Sequence, residues 1–233
     1  MAISLVQTVQ GNGGGYVNSY TKSITPTAGN MLTVCIALGA ADVITVSDNK
    51  GNTWVADKTQ ILTSQRQAQV WRAYNVAGGA TTITFQANSG DFPDSAVIID
   101  EWSGLQTSAA LDQIGGANTS SGTTYAASYA GATTQASELL IGCMACDSNS
   151  PSFTGDASWT GLLTQAGFDL YTSVTRQYRI VSSTGSYSWT LTNSASRQAS
   201  QALASYKAVV NFLAAFQQQN IPVLESLQVI GYE

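Results

Sequence analysis

The chain has 233 residues, 44% of them apolar and only 10% charged. A chain of this length can bury a full core without metal or disulfide, and its polar surface must come from Ser, Thr, Asn, Gln and Gly. The net charge of −5 supplies no phosphate-neutralising patch, which argues against a nucleic-acid partner. Histidine is absent, which removes every His-dependent triad, every His-ligated zinc and the commonest general base.

The N-terminus, Met1-Ala2-Ile3-Ser4-Leu5-Val6, has no basic start and no apolar h-region, so no Sec signal peptide is expected. The protein is therefore expected to stay in the cell that makes it or to leave by lysis, unless a leader has been removed. No run approaches the 18 apolar residues of a membrane helix. The stretch Gly11–Gly15 lacks the Lys-Ser/Thr of a phosphate loop and predicts a hairpin connection. Further breakers stand at Thr27–Asn30, Asp48–Asn52, Ala77–Gly79, Ser89–Asp91 and Ser183–Gly185. The runs between them are rich in Val, Ile, Thr, Tyr and Trp, and several alternate with period two. Ile83 and Phe85 share one face, as do Tyr187, Trp189 and Leu191. Little before Lys207 has a helical period. The prediction is an all-β antiparallel core of a dozen or more strands.

The chain also repeats itself at an interval of about 105–108 residues. Leu32–Ala37 matches Leu140–Ala145, and Asn52-Thr53-Trp54 matches Ala157-Ser158-Trp159. Gln69–Arg72 matches Arg176–Arg179, Thr82–Phe85 matches Ser188–Leu191, and Ala96–Ile99 matches Ala202–Ser205. Two architectures follow: two tandem sandwiches, or one interleaved jelly roll of two Greek keys. The second is preferred. Ser103–Ala136 is no linker, and Leu111–Gln113 and Tyr125–Tyr129 look like strands crossing between the halves. The expected division is a duplicated jelly-roll sandwich over 1–207, with pseudo-repeats at 29–104 and 137–207, followed by an apolar arm over 208–233.

Several segments carry a resemblance. They are Gly29–Leu38, Val46–Trp54, Val70–Gly79, Thr81–Phe85, Glu101–Leu105 with Leu111–Gln113, and Thr133–Leu140. Together they resemble a broad set of β-sandwich proteins of bacteriophage virions, such as decoration and minor tail proteins, and modules of large secreted bacterial proteins. The resemblance covers roughly residues 25–207 and concerns fold and turn positions. It brings no catalytic residue, and it implies a structural or binding module.

After Lys207 the only charges are Glu225 and Glu233. Val209, Val210, Phe212, Leu213, Phe216, Val223, Leu224, Leu227, Val229 and Ile230 make the segment too apolar to stay solvated. Val209, Phe212, Leu213 and Phe216 fall at helical spacing, and Pro222 ends any helix. These residues are the expected subunit interface, as an arm docked on a neighbour. Folding back onto the chain's own sandwich, or extension of the last strand, is the alternative.

The remaining candidates are weighed against simpler roles. Asp48–Asn52 has Lys50 where a calcium ligand is needed, so a turn with Gly51 at positive φ is expected. Asp91, Asp94, Asp100 and Glu101 form an acidic cluster. Asp100 and Glu101 are neighbours in a strand, point to opposite faces and cannot form a dyad. A glycosidase would need facing carboxyls in a cleft. Trp54, Trp71, Trp102, Trp159 and Trp189 could stack on sugars, but their symmetry favours core packing. Cys35, Cys143 and Cys146 read as small buried hydrophobes.

The expectation is therefore a non-enzymatic virion protein without catalytic residue, cofactor or metal, most simply a capsid decoration or cement protein. Its expected partners are itself, as a homo-oligomer and by analogy a trimer, and other virion proteins such as the major capsid protein. Neither nucleic acid nor membrane is expected, while glycan binding stays open. The expected location is the virion, assembled in the host cytoplasm, with a secreted location as the alternative. Runners-up are a tail-tip or fibre adhesion module, a secreted carbohydrate-binding module and, in a third class, a glycan-cleaving enzyme.

Overall fold

A computed structural model describes residues 2–13, 17–63, 66–88, 90–148, 152–169 and 171–210. These residues are all-β, with no helix among them, and every strand pairing is antiparallel. The first half holds β1 (Ser4–Gly13), β2 (Ser19–Ile24), β3 (Met31–Leu38), β4 (Ile44–Asp48), β5 (Trp54–Leu62), β6 (Arg66–Ala73), β7 (Thr81–Ala87) and β8 (Ser95–Ser103). The second half holds β9 (Leu111–Ser128), β10 (Ser137–Cys146), β11 (Phe153–Thr154), β12 (Thr160–Ala166), β13 (Ser173–Ser182) and β14 (Ser188–Lys207).

The first half forms a five-stranded sheet in the order β1-β8-β3-β6-β5, covered on one face by a three-stranded sheet, β2-β7-β4. In β7, alternation turns Ile83 and Phe85 toward the five-stranded sheet. They meet Leu32, Val34 and Ile36 of β3 and Trp71 of β6 there.

The second half forms a six-stranded sheet in which β14-β10-β13-β12 run in order and both β11 and β9 pair with β14. Its strands β9 and β14 are long enough to serve two layers. Ala199–Tyr206 of β14 pairs with β10 and the start of β9, whereas Ser188–Thr192 pairs with Thr124–Ser128. The ladder breaks register between Thr192 and Arg197. Beyond the break the hairpin folds across its own sheet. Trp189 stands over Gly142 of β10, where an added Cβ would lie 2.5 Å from the indole. The Tyr129 hydroxyl lies 3.2 Å from the carbonyl oxygens of Ile141 and Ala204, within reach as donor to either. The enclosed core holds Tyr125, Leu140, Met144, Trp159, Trp189, Leu191 and Leu203.

The all-β sandwich expected from the sequence is thus the fold, but the strands of the two halves do not interleave. Leu111–Gln113 and Tyr125–Tyr129, expected to cross between halves, belong to β9 and its exit, wholly inside the second half. Each half closes its own two layers. Among the described residues, the strand pairing that joins them is one isolated bridge, Leu105 to Ala208.

The five-stranded sheet of the first half packs face to face with the six-stranded sheet of the second, and this third core joins the halves. Small side chains, Cys35, Ala37, Ala68 and Ala96 against Cys143, Ala145, Ala202 and Ala204, alternate there with Val70, Ile98, Ile141 and Val174. Facing sheets normally stand ~10 Å apart. Here Cα atoms of β3 and β10 approach within 8 Å, and the Cys143 thiol reaches the facing Gln69 carbonyl at 3.4 Å. Bulkier residues fill the margin, where Trp102 meets Tyr178 edge-on at 4.9 Å.

Buried within this interface, Arg176 of β13 pairs with Asp100 of β8 at 2.6 Å. Arg176 also donates to the Gly161 carbonyl, and Thr8 donates to the same Asp100 oxygen. Burial pushes the Asp100 carboxyl above its ordinary value despite the guanidinium beside it. Removing one partner of such a pair leaves an uncompensated charge and costs about 3–5 kcal/mol, whereas replacing both with packed apolar groups is often neutral. Asp100→Ala is therefore expected to lose about that much stability in urea unfolding, and Asp100→Leu/Arg176→Met to recover most of it. Additive losses in the double variant would contradict this reading.

Candidate functional site

The chain leaves the double sandwich at a tightly bonded point. The Lys207 N–H donates to the Ala110 carbonyl, Ala208 to Ser137 and Val209 to Gly104. The side-chain amides of Gln106 and Gln135 both donate to the Ala208 carbonyl. Ordered pairing therefore runs past the Lys207 boundary expected from the sequence. Val209 and Val210 then stand 41% and 45% exposed and border a depression of about 340 Å³ with Gln106, Thr107 and Ser108. Of the expected interface residues, only these two lie within the described chain. Phe212, Leu213, Phe216, Val223, Leu224, Leu227, Val229 and Ile230 lie outside the described residues, as does the helical spacing expected beyond Val210.

A carboxyl pair lies close to this exit. Asp112 of β9 accepts both the N–H and the hydroxyl of Thr134 and sits 3.7 Å from Lys207 Nζ. Although Asp112 is partly desolvated, these donors hold its carboxyl below the usual range. Its partner is Glu138 of β10, fully buried. Burial, with the Asp112 hydrogen bond next, raises Glu138 from 4.5 to about 7. The two carboxyls are thus pushed apart, Glu138 holding its proton to higher pH than Asp112. This pair was not legible in the sequence, because 26 residues and a sheet register separate its members and only the fold brings them together.

The acidic cluster anticipated from the sequence is dispersed. Asp100 and Glu101 do point to opposite faces. Asp100 meets Arg176, while Glu101 accepts from Gln7, from Asn30 and from the Thr27 N–H. Asp94 reaches into the second half, where its carboxylate accepts the N–H groups of Asp169, Tyr171 and Thr172 at 2.9, 3.1 and 2.9 Å. Gly167 allows that approach, since a Cβ there would lie 2.3 Å from the Asp94 carboxylate. The Asn12 amide reaches the carbonyls of Ala166 and Gly167, both at 3.4 Å. The loop so fastened displays Phe168 and Tyr171, 53% and 73% exposed.

The tryptophans do not make a platform. Trp102 and Trp189 are fully enclosed, Trp71 and Trp159 are buried, and Trp54 is half-buried with its indole N–H given to Asp48. Asp48 is consumed by its own turn, accepting from Lys50, Asn52 and Trp54, and Gly51 has φ 73°. The three cysteines are buried thiols. Desolvation raises Cys35 well above its ordinary value and Cys146 to about 12. Among the described residues, no group of three His, Cys, Asp or Glu side chains converges as a metal site would require. Compared with protein-family models, curated proteins and solved structures, the chain matches none.

Two expectations follow. Glu138 has a folded-state value raised above that of the unfolded chain. Its stabilising contribution is complete below pH 4.5 and is lost as pH rises to about 7. Glu138→Gln keeps the side chain's size without titrating. Between about pH 5 and about pH 8 the wild-type urea midpoint should therefore fall relative to the variant's, and parallel midpoints would contradict the raised Glu138 value. Separately, Asp94→Ala should speed amide exchange at Asp169, Tyr171 and Thr172 by roughly tenfold or more while sparing the amides of β10. Unchanged exchange at all three would show that the loop does not depend on this carboxylate.

Proposed function

We propose that the protein is a non-enzymatic structural protein of a bacteriophage particle, most simply a capsid decoration or cement protein that assembles with itself through the segment after Val210. The observation that carries this reading is the chain exit. A body whose buried carboxylates and guanidinium groups are engaged internally releases its chain at one firmly bonded point, with Val209 and Val210 bare. The sequence that follows, 211–233, has only Glu225 and Glu233 as charges. An apolar segment joined to a rigid body at a fixed point suits docking on a second copy or on a shell, because the body loses little freedom when the segment docks. The homotrimer expected by analogy is the first state to look for.

A second reading, a tail-tip or fibre adhesion module or a secreted carbohydrate-binding module, draws support from the fastened loop that presents Phe168 and Tyr171. Rigid exposed aromatics are effective contact groups, since little entropy is lost when they bind.

Sedimentation of the full chain beside a version ending at Val210 tests the first reading. The full chain should be a defined homo-oligomer and the shortened one a folded monomer. Two well-folded monomers would overturn the assembly reading and leave the adhesion reading ahead.

A further inference from the structure

The end of the first sandwich carries a cleft that the assembly reading does not use. It holds about 350 Å³ and is bordered by Asn52, Thr53 and Val55 on one side and by Arg72, Tyr74 and Asn75 on the other. This is the small end of the range for small-molecule sites, enough for a single sugar ring.

Its walls are fixed before any ligand arrives. Asn52 gives its amide to Asp48 and takes the Ala77 N–H, both at 2.8 Å. Tyr74 accepts the Leu111 N–H of the second half at 2.7 Å. Arg72 lies over the Tyr74 ring, its guanidinium carbon 4.2 Å from the centroid. Arg72 Nε stands 3.2 Å from Asp57, whose other oxygen accepts the Tyr206 hydroxyl. Nε itself makes an ionic contact there without a well-formed hydrogen bond. A guanidinium has five N–H donors. Among the described residues, Asp57 and Tyr74 are the only side chains the Arg72 guanidinium engages, so most of its donor capacity is unspent beside the cleft.

We propose that this cleft binds a small organic carboxylate, of the sugar-acid class, with the Arg72 fork on the carboxylate and the Tyr74 ring and Val55 against the carbon frame. Three features select that chemistry. The planar fork suits a two-oxygen acceptor. Asp57 already offsets part of the Arg72 charge, which favours a singly charged carboxylate over doubly charged phosphate. The apolar surface of Val55 and Tyr74 rewards a ligand with carbon as well as charge. Thr53, at the exposed rim, supplies a hydroxyl for a ring substituent.

The test is a titration of the isotope-labelled full chain with glucuronate, glucose and inorganic phosphate in turn, followed by NMR. Glucuronate should give saturable shifts centred on the Arg72 Nε–H and the amides of Thr53 and Tyr74. Glucose should give none at the same concentrations, and phosphate should bind more weakly than glucuronate. Arg72→Lys keeps the charge but loses the fork, and should weaken glucuronate by roughly tenfold or more. Thr53→Val, at an exposed position, should weaken it less while leaving the site of the shifts unchanged. No saturable shift, shifts centred elsewhere, equal response to glucose, tighter binding of phosphate, or full affinity in Arg72→Lys would each overturn the assignment.

Discussion

The closeness of the two inner sheets is the constraint on which the rest of the molecule depends. Cys35, Ala37 and Ala96 on one side and Cys143, Ala145 and Ala202 on the other keep much of the facing surface thin, with Val70, Ile98, Ile141 and Val174 standing among them. The backbones close until a thiol touches the facing carbonyl. At that separation a long side chain fits only where a matching partner absorbs it. Arg176 enters because Asp100, Thr8 and the Gly161 carbonyl receive it. Such a pair adds little net stability over packed apolar groups, but it penalises any misregistered docking of the halves.

Close packing also determines where the polar chemistry goes. Asp57 with Tyr206, Asp94 with the loop after β12, and Tyr74 with Leu111 are all contacts from one half to the other. The few charged groups of the chain are therefore largely structural. Among the described residues, the features proposed above for outside partners are the valine exit after Ala208, the aromatic loop at Phe168 and Tyr171, and the Arg72 cleft. Asp112 and Glu138, whose carboxyls are shifted in opposite directions, lie close to the first of these.

Much of the fold was legible because period two and turn residues are local signals. Ile83 with Phe85, and Trp189 with Leu191, could be assigned to buried faces from alternation alone. Cys35 and Cys143, matched between the halves in the sequence, lie on the same inner face of β3 and β10. The fine register of the match was not legible. Trp71 was matched to Tyr178, yet Trp71 faces the outer core of its half and Tyr178 the interface, a slip of one residue that reverses the face. The preference for interleaving failed for a related reason. A low charge content shows that the halves bury one another, but it does not distinguish exchange of strands from face-to-face stacking. The site was least legible. Arg72 with Asp57, Asp94 with Thr172, and Glu138 with Asp112 are neighbours across strands and loops, and no spacing in the sequence marks them.

The central claim is that two sandwiches, each closed on itself, form one cooperative body through their small-residue interface. Native-state hydrogen exchange on the full chain tests it directly, by comparing the slowest amides of β3 and β6 with those of β10 and β13 as denaturant is added. The account predicts that both sets merge into a single global opening with one free energy and one denaturant slope. Two separate openings, with one half exchanging at a clearly lower free energy while the other stays protected, would mean that the sandwiches stand independently. The interface would then be a contact rather than the core of the fold.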